Sequence, residues 1–352
     1  MTHWKLTLAY DGTPYHGWQV QPGLPTIQGA LADAIHHTTG ERVLPQGSGR
    51  TDAGVHALAQ VASFALDAPI PPDRLHRALN RCLPPSIRIL TAEHAPPEFH
   101  ARHSALRKTY EYRIFPLMPP GRVPHVRRVQ RLTWEVDPPA SQDGRVPHSS
   151  RPYRDEWDVN SPPNPVSTHP ERICPPTLAP YVWPCPWPLS LETLNHAAAH
   201  ILGTHDFTTF AATDPDRSTR DNESAPEPGG PSFAGLPQRM GYSRPARTAL
   251  LDQPLSPTPI RTIHHSLWRI HEDLLVYTVT GSGFLHHMVR NLVGTFVQAG
   301  SNRLSPDAIP TLIATRNRAV CGPTAPATGL FLVSVEYPDS TGNPQPATFS
   351  SL

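Results

Sequence analysis

Long apolar runs are missing from this chain of 352 residues. Hydrophobic residues make up 38% and the mean hydropathy is −0.38. No segment approaches the roughly 18–20 consecutive apolar residues that a membrane span needs. No basic start followed by an apolar stretch opens the chain, so no secretory signal is expected. Cysteine is scarce: Cys82, Cys174, Cys185 and Cys321 stand far apart and form no CxxC pair. That spacing argues against a disulfide framework and a cysteine zinc site, and it fits the reducing cytoplasm. An excess of one charge is lacking too. Thirty Lys and Arg against 29 Asp and Glu leave a net charge of +1, which excludes a uniformly basic coat but not a local basic patch. GxGxxG, a phosphate loop ending in Gly-Lys-Ser/Thr, and HExxH are all absent, so neither a cofactor nor a metal is expected.

Proline, in contrast, is abundant, and its placement sets the organisation. The segments Pro116 to Ser190 and Thr213 to Arg261 hold 27 of the 45 prolines and carry no sustained period. They read as loop insertions, at about 116–188 and 213–260. The remaining sequence alternates strands and amphipathic helices. Trp4, Leu6, Leu8 and Tyr10 predict a strand; Thr26 caps a helix that ends at Gly40; Val61–Leu66 and Ile87–Ala92 read as strands around a helix over Pro72–Leu83. Further on, Thr109–Phe115 is a strand, Ser190–Gly203 a helix, and Ile263–Ile270 with Leu274–Thr280 a strand pair. The apolar stripe of Phe284–Ala299 predicts the clearest helix, and Leu330–Tyr337 the last strand. The fold class expected is α+β: two α/β halves with largely antiparallel sheets. The expected division is an N-terminal domain over 1–105, a C-terminal one over 106–340, and a flexible tail over 341–352.

Three runs carry side chains suited to chemistry. Gly47-Ser48-Gly49-Arg50-Thr51-Asp52-Ala53-Gly54-Val55-His56 holds one carboxylate on a tight glycine-rich loop, two residues after an arginine. An arginine can orient a carboxylate and keep it ionised, as a nucleophile requires. On pattern alone, a turn with a solvated Asp and Arg is the more ordinary reading. The run from Phe99 to Tyr110 sets Arg102, Arg107 and Lys108, with His100 and His103, beside an aromatic strand, a pairing that suits phosphates and a stacked base. Arg290 interrupts the polar side of the apolar helix, near His286, His287, Asn291 and Gly294, and must find water or a partner. Arg127, Arg128 and Arg131 form an acid-free basic cluster in the first insertion. Of the 20 histidines, His196, His200 and His205 come nearest to ligand spacing. They read as capping and packing residues.

Taken in order, these motifs resemble the tRNA pseudouridine synthase A family. Tyr10-Asp11-Gly12 with Gly17-Trp18-Gln19 and Thr26-Ile27-Gln28 is similar to the family's start, and Gly49–Ala57 to its signature loop. Leu79-Asn80, Phe99-His100-Ala101-Arg102, Lys108-Thr109-Tyr110-Glu111-Tyr112 and His205-Asp206-Phe207 follow. Gly283-Phe284-Leu285, Met288-Val289-Arg290-Asn291 and Gly329-Leu330 complete the series. The resemblance implies a pseudouridine synthase fold with a central cleft. It makes Asp52 the catalytic carboxylate, Arg50 its partner, Tyr110 the ring that packs on the target base, and Arg290 a cleft residue. It further assigns Arg102, Lys108, His56, Asn291 and Leu330 to substrate binding. It implies conversion of uridine to pseudouridine at positions 38, 39 and 40 of the tRNA anticodon stem–loop, by a cytoplasmic homodimer, without cofactor, metal or membrane. It gives the two insertions no role; they could extend the tRNA-binding edge through Arg122 to Arg131, or be disordered decoration, the reading favoured here.

Overall fold

Period-two burial starts with the first strand. The computed structural model describes residues 1–118, 172–212, 258–338 and 344–346. Within it, β1 (Thr2–Tyr10), the two-residue β2 (Gln46–Gly47), β3 (His56–Leu66) and β4 (Ile87–His94) form an antiparallel first half. Trp4, Leu6, Leu8 and Tyr10 are buried, as their alternation requires. Two helices cover this half, α1 (Ile27–Thr39) and α2 (Pro72–Cys82), contributing Leu31, Ile35, Leu75 and Leu79 to the core. Thr26 caps α1 by accepting the Gly29 N–H at 3.3 Å, and Gly40 ends it in the left-handed region.

The second half contains β5 (Arg107–Pro116), β6 (Trp183–Cys185), β7 (Gly203–Asp206), β8 (Ile260–His271), β9 (Leu274–Gly281), β10 (Leu330–Pro338) and β11 (Pro344–Pro346). Its helices are α3 (Leu191–Ala199), α4 (Met288–Gly300) and α5 (Ile309–Thr315). Trp268 stacks on Tyr277 at 4.9 Å, and Tyr277 meets Phe296 of α4 edge-on at 5.4 Å. The fold is α+β and largely antiparallel. Its two halves share one sheet, in the order β4-β1-β3-β10-β5-β9-β8-β7, with β2, β6 and β11 flanking it. The seam is β10, which runs antiparallel to β5 and parallel to β3 through the pairs Phe331–His56 and Leu332–Ala57.

Several elements depart from the sequence-based expectation. The helix expected from Phe284 begins at Met288, because His287 sits left-handed at φ 57° and breaks the repeat. The helix expected to stop at Gly203 ends at Ala199, and Gly203 opens β7 instead. The first proline-rich stretch rejoins the core earlier than its composition suggests. Trp183–Cys185 pairs parallel with Ile114–Pro116, and Val182, Trp183, Cys185 and Leu189 are buried. Proline is tolerated there because a short flanking strand leaves its missing N–H unpaired at no cost to a ladder. Within the expected tail, Pro344–Pro346 pairs with the end of β10. Residues 119–171 and 213–257, with Arg122, Arg127, Arg128 and Arg131, lie outside the described residues. Among the described residues no helix is long and apolar enough to cross a membrane.

The cap gives the first testable expectation. Thr26→Ala removes the acceptor for an orphan N–H of α1 and should lower the unfolding free energy by about 1 kcal/mol, measured by urea denaturation.

Candidate active site

Hydrogen bonds from below hold the glycine-rich loop in place. The Tyr10 and Thr51 hydroxyls bond at 2.9 Å, and the buried Gln60 donates its amide to Gly49 O at 2.9 Å while accepting the Ser48 hydroxyl at 2.6 Å. Lys108 donates its ammonium to Ser48 O at 2.5 Å. From the side, the Trp18 N–H bonds Thr51 O at 3.0 Å. A Cβ at Gly12 would lie 2.1 Å from Val55 O, so the two loops approach this closely only because Gly12 has no side chain. The result is a rigid platform with one carboxylate, Asp52, left partly exposed.

Asp52 meets the beginning of α4. Arg290 Nη1 donates to Asp52 Oδ2 at 2.9 Å across 238 positions of sequence. His287 Nε2 lies 3.3 Å from the same oxygen and His286 Nε2 3.6 Å from Oδ1. The two imidazoles stack at 3.9 Å. Burial holds the His287 imidazolium below its ordinary range; Arg290, His286 and Arg318 push the same way, and Asp52 opposes them. Arg290 is aimed by its own backbone neighbourhood: Nε donates to Ala325 O at 2.7 Å, and the Ala325 N–H returns to Arg290 O at 3.1 Å. That strand-like segment lies directly on α4, because a Cβ at Gly294 would come 1.7 Å from Pro323 O. Arg318 ties it down further by donating to Asn291 Oδ1 at 3.1 Å and Thr324 Oγ1 at 3.0 Å.

Tyr110 lies in the neighbouring strand β5, buried, with its ring edge-on to Phe284 at 5.0 Å. Burial, then the nearby Tyr10 and Asp52, raise its phenol well above the ordinary value, so it stays protonated at neutral pH. Beside it, the exposed Arg102 and the half-buried Arg261 lie close enough to Lys108 to repel its charge. This is a small cationic rim on a nearly neutral protein.

Several of the expected site residues are buried in the fold. A guanidinium from far along the chain, that of Arg290, meets Asp52 at 2.9 Å. His56 is 1% exposed and does not face a ligand. It accepts the Gly12 N–H on Nδ1 at 3.1 Å, donates from Nε2 to Pro180 O at 3.2 Å, and stacks on Phe331 at 4.7 Å. Asp11 Oδ1, 3.2 Å from that Nδ1, therefore faces an acceptor; Asp11 takes its donors from Thr13 and Tyr181. Asn291 is fully buried and spends its amide on Phe210 O at 2.8 Å. Leu330 is buried opposite Tyr112 at the start of β10. Lys108 pins Ser48 rather than pointing outward. Thr51, Gln60, Phe284 and Arg318 were not singled out as site residues; the only local signal was the His286-His287 pair three residues before Arg290.

An α+β protein with an ion-paired carboxylate at the seam of one sheet, a buried tyrosine beside it and a cationic rim has the make-up of an enzyme for an anionic substrate. The relatives agree with that reading. A family model described as tRNA pseudouridine synthase matches residues 7–104 and 249–338, more than half of the chain. A tRNA pseudouridine synthase A of Solibacter usitatus is 39% identical over 334 residues, covering 95% of this chain and 98% of that protein. Proteins of the same name from Moorella thermoacetica and Rhodopseudomonas palustris are 36% and 32% identical, each over at least 95% of this chain. The chain belongs to the tRNA pseudouridine synthase family.

Lys108 provides a pH test of the platform. Burial, then Arg102 and Arg261, lower its ammonium from 10.5 to about 8. Across that interval the unfolded chain holds a proton that the folded chain has released, so unfolding free energy rises with pH, by at most about 1.4 kcal/mol per unit. Lys108→Met should lack this rise, and the wild-type advantage in urea midpoint should therefore grow from pH 7 to pH 9.5.

Proposed function

We propose that the protein isomerises uridine to pseudouridine at positions 38, 39 and 40 of the tRNA anticodon stem–loop, with Asp52 as the catalytic carboxylate. The observation that carries this reading is the Asp52–Arg290 contact at 2.9 Å beside Tyr110. The reaction breaks the N1–C1′ bond of uridine, turns the detached uracil and joins C5 to C1′, the C5 proton being lost and N1 taking one up, so that no atom is gained or lost. It is redox-neutral and transfers no external group, so a positioned carboxylate and a base-binding surface are what it requires. Arg290 orients the Asp52 carboxylate through its 2.9 Å contact, as a nucleophile requires. Attack at C1′, attack at C6 and proton removal at the sugar all begin from that carboxylate.

A base paired in a stem must leave the stack before its N1–C1′ bond can be reached, at a cost of a few kcal/mol. The Tyr110 edge and Phe284 offer an apolar surface to the extruded ring, and Arg102 and Arg261 offer phosphate contacts that offset the cost. A-form RNA is read mainly by shape, which suits a site accepting neighbouring uridines. Function as a cytoplasmic homodimer, with tRNA touching both subunits, belongs to the same proposal and is tested by light scattering with and without tRNA.

Incubation with unmodified tRNA, followed by mapping of pseudouridine, tests the reading directly. The expected product lies at positions 38–40; absence of product there would overturn it. Asp52→Asn should reduce turnover by at least about 1,000-fold, as loss of a nucleophile does, while tRNA affinity is held or slightly raised because a negative charge near phosphates is gone. Arg290→Lys keeps the charge but loses the fork that spans Ala325 O and Asp52, and should lower turnover by about 10–100-fold.

A further inference from the structure

Outside the Asp52 site, the geometry points to a second site: His196, His200 and Asp307 form a three-ligand centre for a divalent transition metal of the zinc class, completed by water. His196 lies in the last turn of α3 and His200, in helical backbone geometry, is the residue that caps it one turn on, so both imidazoles project to one side. Their rings lie 5.1 Å apart. Asp307, in the turn that precedes α5, brings a carboxylate oxygen to both: Oδ1 is 3.2 Å from His196 Nε2 and 3.6 Å from His200 Nε2. Zinc bonds of about 2.0–2.1 Å place neighbouring donors of a tetrahedron about 3.3–3.4 Å apart. The observed spacings bracket that edge, and all three donor atoms fall within 4.8 Å of one another.

A second observation indicates a missing partner. His200 Nε2 is buried and has no hydrogen-bond partner among the described residues, although it is turned toward the Asp307 oxygen. A buried polar atom without a partner is costly, and a metal ion between these donors would satisfy it. The fourth position is open to solvent, since the side chains of His196 and Asp307 are 51% and 71% exposed. His205, the third residue of the sequence spacing, turns Nε2 to Leu202 O at 2.8 Å and takes no part. Asp307, 107 residues further along the chain than His200, replaces it. The other cluster with ligand potential among the described residues, Asp52 with His286 and His287, already holds the positive guanidinium of Arg290 on its carboxylate, which opposes a cation there. Metal at the α3 site would clamp α3 to the turn before α5 and stabilise the folded chain by mass action.

Titration of the full-length protein with Co²⁺, followed by Zn²⁺ competition, tests the assignment. The expected result is a set of visible d–d bands of tetrahedral Co²⁺, bleached by Zn²⁺, and a melting temperature raised by about 5 °C at saturating Zn²⁺. His196→Ala and Asp307→Asn should each remove the bands and weaken Zn²⁺ binding at least about 10-fold, with pseudouridine formation unchanged, whereas Asp52→Asn should keep the bands. Bands that persist in the His196→Ala and Asp307→Asn variants, bands lost in Asp52→Asn, or no saturable binding at micromolar metal would each overturn the proposal.

Discussion

The contact between Asp52 and Arg290 joins the two halves of the molecule at the point where chemistry is expected. Its 2.9 Å separation depends on a carboxylate from the loop before β3 and a guanidinium from the first turn of α4. Neither group is fully exposed, so each would bear a desolvation cost if the other were removed. The surrounding architecture fixes that distance. Tyr10, Gln60 and Lys108 hold the loop, Ala325 aims the guanidinium, and β10 locks both halves into one sheet. The start of α4 also presents the positive end of its helix dipole to this region.

Residues that surround the carboxylate divide into those that can meet a ligand and those that hold the frame. His56 illustrates the second kind. It lies four residues after Asp52, yet it is buried at the sheet seam, bonded to Gly12 and to Pro180 and stacked on Phe331. It thereby joins β3, β10, the loop after β1 and the end of the proline-rich stretch. Asn291 does the same on the other side, linking α4 to Phe210, Arg318 and Thr324. A motif read as a unit thus contains frame-holding residues such as His56 and Asn291 beside the partly exposed Asp52.

Proline content is an unreliable guide to where the fold resumes. Residues from Arg172 onward sit in a stretch dense in proline, but Trp183 and Cys185 are buried and Tyr181 donates to Asp11 at 3.0 Å. Proline excludes a regular ladder; it does not exclude packing against one. The same stretch supplies Pro180 O to His56, so its end supports the loop that carries Asp52.

Local patterns determined much of this protein. Alternation at Trp4–Tyr10, the Thr26 cap, the Gly40 stop and the β8–β9 pair all follow from preferences that act over a few residues, and they are present as expected. The loop around Asp52 was also visible, because glycines flanking one acid are a local feature. Tertiary structure alone decided that Arg290, 238 positions away, meets that acid, that His287 turns left-handed and delays α4, and that Asp307 joins His196 and His200 in place of His205. Each of these depends on which distant segments the sheet register brings within a few ångströms. Coulombic and hydrogen-bond partners are chosen by that distance, and spacing along the chain does not encode it.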